Sequence, residues 1–188
     1  MTNRIPKLSC LAAFAAILAI ASACNGASSD GVPVRNTSHY AIIDTDRGTI
    51  VVELYPKVAP KTVDNFETLV KKGFYNNLTF HRVVPDFVVQ GGDPDGTGMG
   101  GPGYNVPAEI DANEHHLRGT LATARQGDEV NPTRQSSGSQ FYICLKPQPY
   151  LDGQYTIFGG VIKGMDVVDQ IQKGDHMKKI TLASEPPK

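Results

Sequence analysis

Short apolar runs separated by glycine and proline are the feature that most restricts how this chain can fold. The sequence holds 19 glycines and 13 prolines among 188 residues, which favours a turn-rich fold over a helix bundle. We count about eight strand candidates between residues 39 and 183, each only a few residues long. Strands this short usually close into a barrel or a sandwich, because closure removes exposed edges.

The spacing of apolar residues assigns these runs to strands and to two helices. Two alternating runs in "YAIIDTDRGTIVVELYP" (40–56) flank Asp46-Arg47-Gly48 and predict a β-hairpin. The other strand candidates are "LTFHRVV", "FVVQ", "GTLATAR", "SQFYICL", "YTIFGGVI" and "HMKKITL". Helical spacing predicts one helix in "APKTVDNFETLVKKGFY" (59–75) and a second, shorter helix in "GMDVVDQIQKG" (164–174).

The first 23 residues are typical of an export signal. Arg4 and Lys7 precede the apolar run "LAAFAAILAIA" (11–21), which is too short to span a bilayer comfortably. The next residues, "ASAC", fit an ordinary signal-peptidase site and also resemble a bacterial lipobox ending at Cys24. We expect an exported protein of the periplasm or cell envelope, held to a membrane only through a lipid on Cys24. Simple secretion stays the alternative.

The remaining chain divides into a tether, one domain and a short tail. Residues 24–38 are small and polar and predict a flexible tether. Residues 39–183 are long enough for a single domain, and residues 184–188 form a tail. Cys144 lies in an apolar run and is expected in the core, so no disulfide framework is predicted. A net charge of −1 gives no reason to expect nucleic-acid binding, and we expect a monomer.

Two motifs suggest chemistry that their context argues against. "GTGMGG" (96–101) matches a dinucleotide-binding pattern, but Pro102 follows it and no helical pattern does. We therefore expect a flexible loop beside a site. "NEHH" (113–116) holds adjacent histidines that would point in different directions, without a third ligand at a standard spacing. We interpret it as surface polar residues and expect neither a metal nor a cofactor.

The stretch "FHRVVPDFVVQGGD" (80–93) places polar residues inside an apolar strand pair. Arg82, Val88 and Gln90 share parity, and Phe87 falls at the break after Pro85. These residues would form an apolar floor with a guanidinium at one end and an amide at the other. From the pattern alone, the polar groups either face solvent or point at a substrate.

The same stretch is similar to the central signature of the cyclophilin-type peptidyl-prolyl cis–trans isomerases. "GSQFYICL" (138–145) and "YLDGQYTIFGGVIKGMDVVDQI" (150–171) resemble the family's second and third signatures, in the family's order. The resemblance covers roughly residues 39–182. It implies a mainly β fold, a closed eight-stranded antiparallel β-barrel capped by two α-helices.

The resemblance also implies a site. Arg82 stands at the position of the family's catalytic arginine. The positions implied to bind substrate are Phe87, Val88, Gln90, Ala124, Arg125, Gln126, Gln140, Tyr142, Tyr150, Leu151 and Tyr155. Four of them differ from the residues common in relatives. Val88 stands in place of methionine, Tyr142 in place of phenylalanine, Tyr150 in place of tryptophan and Tyr155 in place of histidine. Because the tryptophan is missing, we expect only weak cyclosporin binding.

The predicted function is acceleration of X–Pro bond rotation in exported proteins during folding. The expected partners are proline-containing peptides and unfolded or flexible proteins. The alternative left open at this point is a non-catalytic module of the cell envelope that binds or holds proline-containing peptides.

Overall fold

The computed structural model describes residue 1 and residues 31–187. Eleven β-strands, two α-helices and one 3₁₀ turn (Pro149–Leu151) occur in this part of the chain. The strands are β1 (Tyr40–Thr45), β2 (Thr49–Leu54), β3 (Leu78–Thr79), β4 (Arg82–Val84), β5 (Val88–Gly91), β6 (Asn105–Val106), β7 (Thr120–Thr123), β8 (Ser136–Ser137), β9 (Phe141–Cys144), β10 (Ile157–Lys163) and β11 (His176–Ala183). The helices are α1 (Pro60–Lys71) and α2 (Met165–Val168).

Nine of the strands form one curled antiparallel sheet. Its order is β3-β11-β1-β2-β10-β7-β9-β5-β4, and β6 pairs with β8 in a separate ladder. The outermost strands, β3 and β4, are consecutive in the chain and are linked by Phe80 and His81 alone. Among the described strands no ladder joins β3 to β4, so the chain itself connects the two edges of the sheet. The mainly β class with two helices is confirmed.

The main sheet has nine strands where eight were predicted, because the run "LTFHRVV" divides in two. At Phe80 the backbone N–H donates to the carbonyl of Asp175 (2.9 Å), and the Phe80 carbonyl accepts from Gly174 (3.0 Å). These bonds to the turn before β11 take Phe80 out of the strand ladder. The predicted hairpin forms as expected, with Tyr40 opposite Glu53 across β1 and β2.

The two helices differ in how well their lengths were predicted. Helix α1 buries Val63, Phe66, Leu69 and Val70, the apolar face that its spacing predicts. Helix α2 is shorter than predicted. After Asp169 the backbone bonds tighten to a spacing of three residues, from Gln170 to Val167 and from Ile171 to Val168, so the segment ends as turns.

Two apolar clusters lie on opposite faces of the strands that carry the site. The larger one joins α1 to the sheet interior, where the Phe66 ring lies 5.8 Å from Phe141 and 5.4 Å from Phe158. The smaller one contains Val88, Tyr142 and Cys144. Burial raises the pKa of the Cys144 thiol to about 12, as expected for a core cysteine.

Residues 31–38, predicted as part of a flexible tether, lie against the domain instead. The buried carboxylate of Glu53 accepts the backbone N–H groups of Arg35 (2.6 Å) and Thr37 (2.7 Å). The Arg35 guanidinium pairs with Glu114 (2.7 Å) and lies 3.9 Å from the ring centroid of Tyr55. We call residues 31–38 the N-terminal strap. Residues 2–30, which include Cys24 and nearly all of the predicted export signal, lie outside the described residues.

Candidate active site

A cavity of about 190 Å³ opens on the face of β4, β5, β7 and β9 that carries the smaller apolar cluster. Every residue that lines it was among those implied by the family resemblance. They are Arg82, Phe87, Val88, Gln90, Ala124, Arg125, Tyr142, Leu151 and Tyr155. We call this cavity the proline pocket. Aromatic and aliphatic side chains form most of its walls, and Arg82, Gln90 and Arg125 are the polar or charged members besides the two tyrosines.

Arg82 and Gln90 are brought together by strand register. They are directly opposite each other in the β4–β5 pair, and the Arg82 Nη1 donates to the Gln90 Oε1 (3.3 Å). The guanidinium carbon of Arg82 lies 5.3 Å from the centroid of the Phe87 ring. No other hydrogen-bond acceptor for Arg82 is found among the described residues, so the remaining guanidinium donors are available to a ligand.

Gln140 connects this pair to the glycine-rich loop. Its Oε1 accepts from the Gln90 Nε2 (3.0 Å), and its Nε2 donates to the carbonyls of Gly98 (3.0 Å) and Gly100 (2.8 Å). The loop is therefore fixed to the amide that orients Arg82. Gln140 itself does not line the proline pocket.

The glycine-rich loop lies beside the site, as predicted, but Asp93 holds it in place. The Asp93 carboxylate is buried and accepts backbone N–H groups from Asp95, Gly98 and Gly100. Burial acts to raise the pKa of Asp93, but these three bonds outweigh it and lower that pKa. A side chain at Gly100 would place its Cβ 2.0 Å from the Asp93 Oδ1, so this position requires glycine.

A second cavity of about 590 Å³ adjoins the proline pocket and shares Gln90, Ala124 and Arg125 with it. The other two predicted glutamines, Gln126 and Gln140, line this second cavity. Tyr150 lines neither cavity. It is 60% exposed, and its ring stacks on Phe87 at a centroid distance of 6.2 Å, so it stands at the rim.

Arg125 uses its side chain within the protein and leaves its backbone unpaired. Its side chain is 4% exposed and pairs with Asp128 (2.6 Å). The guanidinium carbon lies 4.6 Å from the ring centroid of Tyr155, which forms one wall of the proline pocket. Among the described residues, none hydrogen-bonds the backbone N–H or C=O of Arg125. Those groups are available to an extended peptide.

Sequence reasoning missed a hydrogen-bonded network behind the proline pocket. The Tyr142 hydroxyl lies 3.0 Å from the His116 Nε2, and the His116 Nδ1 lies 2.9 Å from the Asp152 Oδ1. His116 was expected on the surface with the rest of "NEHH", and this was wrong, because it is 1% exposed. Its neighbour His115 is exposed. Spacing gave no signal, since Asp152 and Tyr142 are 36 and 26 residues away from His116.

The groups in and behind the pocket suit binding and electrostatic stabilisation. Burial raises the pKa of Tyr142 and of Cys144, so both stay protonated and neither is a ready nucleophile. In the described part of the chain, no group of three or more histidine, cysteine, aspartate or glutamate side chains could hold a metal ion. Between residues 31 and 187, no helix is long and apolar enough to cross a membrane.

A cavity with mainly aromatic and aliphatic walls, guanidinium donors of Arg82 without a protein partner and an unpaired backbone at Arg125 are suited to binding an extended peptide. The family model for the cyclophilin-type peptidyl-prolyl cis–trans isomerases matches residues 40–186 of this chain. The chain belongs to this family.

Relatives in other organisms agree with this assignment. A peptidyl-prolyl cis–trans isomerase of Helicobacter pylori is 45% identical over 148 residues, which cover 77% of this chain and 87% of that protein. Peptidyl-prolyl cis–trans isomerase B of Bacillus subtilis is 48% identical over 138 residues, covering 73% and 92%. The crystal structure of a cyclophilin-type isomerase from Cryptosporidium parvum has a TM-score of 0.71 at 32% identity, covering 79% of this chain and 99% of that one. This chain is a peptidyl-prolyl cis–trans isomerase.

Proposed function

We propose that Arg82 accelerates rotation about an X–Pro bond whose prolyl ring occupies the proline pocket. The observation that carries this proposal is the position of Arg82 at the polar end of a cavity whose other walls include Phe87, Tyr142 and Leu151. In this proposal the aromatic and aliphatic walls accept the ring, and the Arg82 guanidinium lies within hydrogen-bonding reach of the prolyl nitrogen. A parasite relative was crystallised in the presence of the dipeptide Ala-Pro, which is consistent with such a site in that protein.

The reaction breaks no bond, so its barrier is the loss of amide resonance. That barrier is about 18–20 kcal/mol, and uncatalysed rotation takes tens to hundreds of seconds. Reaching milliseconds requires four to five decades of acceleration, or about 5.5–7 kcal/mol. Neither an acid–base pair nor a nucleophile is needed to supply it.

A donor aimed at the prolyl nitrogen stabilises the transition state selectively. In the twisted amide this nitrogen regains a lone pair, which the planar ground state does not offer. Arginine stays charged at all relevant pH values and holds its donors in a rigid planar fork. Arg82 is exposed in the free protein, so in this proposal the bound peptide shields it from water. One preorganised donor shielded in this way contributes about 3–4 kcal/mol, which is most of the requirement.

The remainder comes from binding the substrate on both sides of the rotating bond. The prolyl ring is gripped by Phe87, Tyr142 and Leu151, while the residues before proline pair with the free backbone of Arg125. Gln90 keeps Arg82 oriented through its 3.3 Å hydrogen bond. Because the substrate is bound on both sides of the X–Pro bond, its remaining motion is directed along the rotation of that bond.

The substrates in this proposal are proline-containing segments of exported proteins that are still folding or flexible. The support is the N-terminal pattern, a basic segment followed by the apolar run 11–21 and a small-residue site before Cys24. In the envelope the enzyme would meet chains just after export, when slow X–Pro isomers limit folding.

The reaction is tested with a capped proline peptide whose cis–trans relaxation is followed after a solvent jump. The purified protein is expected to speed relaxation in proportion to its concentration. A matched client experiment uses an exported protein whose refolding is limited by proline isomerisation. An effect on the peptide without an effect on refolding would overturn the client proposal and leave the enzyme activity standing.

Lipidation of Cys24 is a separate prediction with its own test. Cells that express the full chain should incorporate labelled palmitate into the wild-type protein and not into C24A. The wild type should sediment with membranes, because a lipoprotein carries several acyl chains and these bind far more firmly than one. An unlabelled, soluble wild-type protein that begins at or after Cys24 would contradict lipidation and favour simple secretion.

A further inference from the structure

The proline pocket has a polar support that the reaction itself does not require. Tyr142 contributes a wall to the pocket and is 5% exposed, so its hydroxyl is out of reach of bulk water. A buried hydroxyl without a partner costs more than a hydrogen bond contributes. The partner here is the His116 Nε2, 3.0 Å away, on the side of Tyr142 where their rings stack at a centroid distance of 6.1 Å.

His116 is held rigidly by Asp152. The Asp152 Oδ1 accepts both the backbone N–H of His116 (2.8 Å) and the ring Nδ1 (2.9 Å). The other oxygen of Asp152 contacts the His115 ring (2.9 Å), and the His116 carbonyl accepts from the backbone of Gln148 (2.7 Å). Both the backbone and the ring of His116 are therefore fixed.

These contacts determine where the ring proton of His116 lies. Burial works to raise the pKa of Asp152, but the bonds from His116 and His115 together lower it, so the carboxylate is ionised and only accepts. The His116 Nδ1 must therefore carry the hydrogen. In a neutral imidazole the Nε2 is then an acceptor, and the Tyr142 hydroxyl donates to it.

We infer that His116, fixed by Asp152, is a positioning residue for catalysis: it accepts the Tyr142 hydroxyl hydrogen and keeps that donor turned away from the prolyl ring. The inference rests on the proposed placement of the prolyl ring against Tyr142. It explains how this chain accommodates a phenol in a pocket that must stay apolar. The polar end of Tyr142 is turned to His116, and the ring remains for the substrate.

This arrangement makes substrate binding depend on the charge of His116. Once protonated, its Nε2 becomes a donor, and the phenol must turn its own hydrogen elsewhere. The other groups around the pair are His115, Asp152, Cys144, Tyr150, Tyr155 and Arg125. Asp152 lies on the far side of the histidine ring and Arg125 is a donor. Among the described residues, no hydrogen bond joins the Tyr142 hydroxyl to Cys144, Tyr150 or Tyr155. The phenolic hydrogen then faces the proline pocket and weakens the binding of an apolar ring.

A double-mutant cycle tests the coupling between His116 and Tyr142. We expect H116L to raise KM for a capped proline peptide about three- to tenfold at pH 7.5, the effect of leaving one buried hydroxyl unpaired, with kcat changed less than about twofold. In the Y142F background the same substitution should change KM by less than about twofold, because no hydroxyl needs an acceptor. Equal effects of H116L in both backgrounds would overturn the inference.

The pH profile separates positioning from a purely structural role. Wild-type KM should rise only below about pH 6.5, because burial lowers the pKa of His116 from its ordinary value, while kcat stays level. The H116L/Y142F protein retains every other histidine and should not show this rise. H116Q supplies an acceptor that does not titrate, so it should bind like the wild type at pH 7.5 and lose the rise. Parallel KM profiles in the wild type and these variants would overturn the inference.

A last variant distinguishes failure of the inference from failure of the proposed site. Y142A should raise KM strongly if the prolyl ring lies against Tyr142. An unchanged KM in Y142A would overturn the site and the inference together. A raised KM in Y142A, with no coupling between H116L and Y142F, would overturn the inference alone.

Discussion

The pairing of Arg82 with Gln90 shows how backbone register places a single functional side chain. The two residues are directly opposite in antiparallel strands, so their side chains lie on the same face of the sheet. Successive side chains alternate between faces, and a slip of one residue would turn Arg82 toward the opposite face. The break at Asp86, which has φ 60°, holds the turn between the two strands and thereby that register.

At the rim of the pocket, Tyr150 is expected to limit cyclosporin binding. The family resemblance implies that a tryptophan at this position would offer its indole N–H to the drug. A tyrosine hydroxyl would meet the drug at a different distance and angle. The lost hydrogen bond and the poorer packing should cost about 1.5–3 kcal/mol, or one to two decades in affinity. We predict that Y150W tightens inhibition by that amount, measured by titration.

Peptide turnover should change little in Y150W, because Tyr150 does not line the proline pocket. The wild-type protein assayed in parallel is the reference. Tight inhibition of the unmodified protein, or no gain from the tryptophan, would contradict this account of the rim.

Among the elements, the N-terminal strap (31–38) depends on one acid in an otherwise apolar strand. Glu53 is fully buried in β2, and its two oxygens accept the backbone N–H groups of Arg35 and Thr37. The strap also covers Gly160, where a side chain would place its Cβ 2.5 Å from Val32. The bonds to Glu53 and the close approach at Gly160 together fix the path of the strap across the domain.

We predict that E53Q lowers the free energy of unfolding by about 1–3 kcal/mol, because the amide N–H₂ would face a backbone donor and leave it unpaired. Urea unfolding measures this change, and limited proteolysis should cleave within residues 31–38 faster than in the wild type. The matched control is E129Q, which alters an exposed glutamate. Equal unfolding energies for E53Q and E129Q would show that the carboxylate does not hold the strap.

At this scale the sequence predicted what short-range patterns determine. The β1–β2 hairpin followed from Asp46-Arg47-Gly48, and α1 followed from its apolar spacing, because both depend on neighbouring residues. The division of β3 from β4 at Phe80 depends on bonds to the turn at Gly174 and Asp175, which local pattern does not reveal.

In the site, too, contacts between residues distant in the chain could not be predicted from local pattern. Its lining residues were predicted through the family resemblance rather than from parity alone, which left Arg82 undecided between solvent and substrate. His116 was misplaced because its burial depends on Asp152 and Tyr142, which are distant in the chain. The strap was missed because its small, polar composition does not reveal that its backbone N–H groups bind the buried carboxylate of Glu53.

For the whole molecule, two buried histidines link stability to pH. Burial lowers the pKa of His81, and this effect exceeds the opposing effect of the Asp93 charge. Both ring nitrogens of His81 lack a hydrogen-bond partner among the described residues. Burial also lowers the pKa of His116, against the opposing effect of Asp152. For a base with a lowered folded pKa, the unfolded chain takes up protons first as the pH falls. Stability is therefore complete above about pH 6.5 and is lost as the pH falls from there through the lowered folded pKa.

We predict a lower urea midpoint at pH 5.5 than at pH 7.5. H81L should reduce that difference and should not destabilise the protein at pH 7.5, because it removes two buried nitrogens that have no partners. E129Q, which alters an exposed glutamate, serves as the control and should keep the wild-type difference. A midpoint that does not depend on pH, or an H81L protein with the full difference, would contradict this linkage.

Turnover of a proline peptide by Arg82 variants measures how far the Arg82 guanidinium stabilises the twisted X–Pro bond. R82A should lower kcat/KM by two decades or more with an unchanged unfolding midpoint, the loss expected for one preorganised donor. R82K should recover little of it, because an ammonium lacks the planar fork. R47A, which removes an exposed arginine paired with Asp175, should turn over at the wild-type rate. A wild-type rate in R82A would contradict the mechanism.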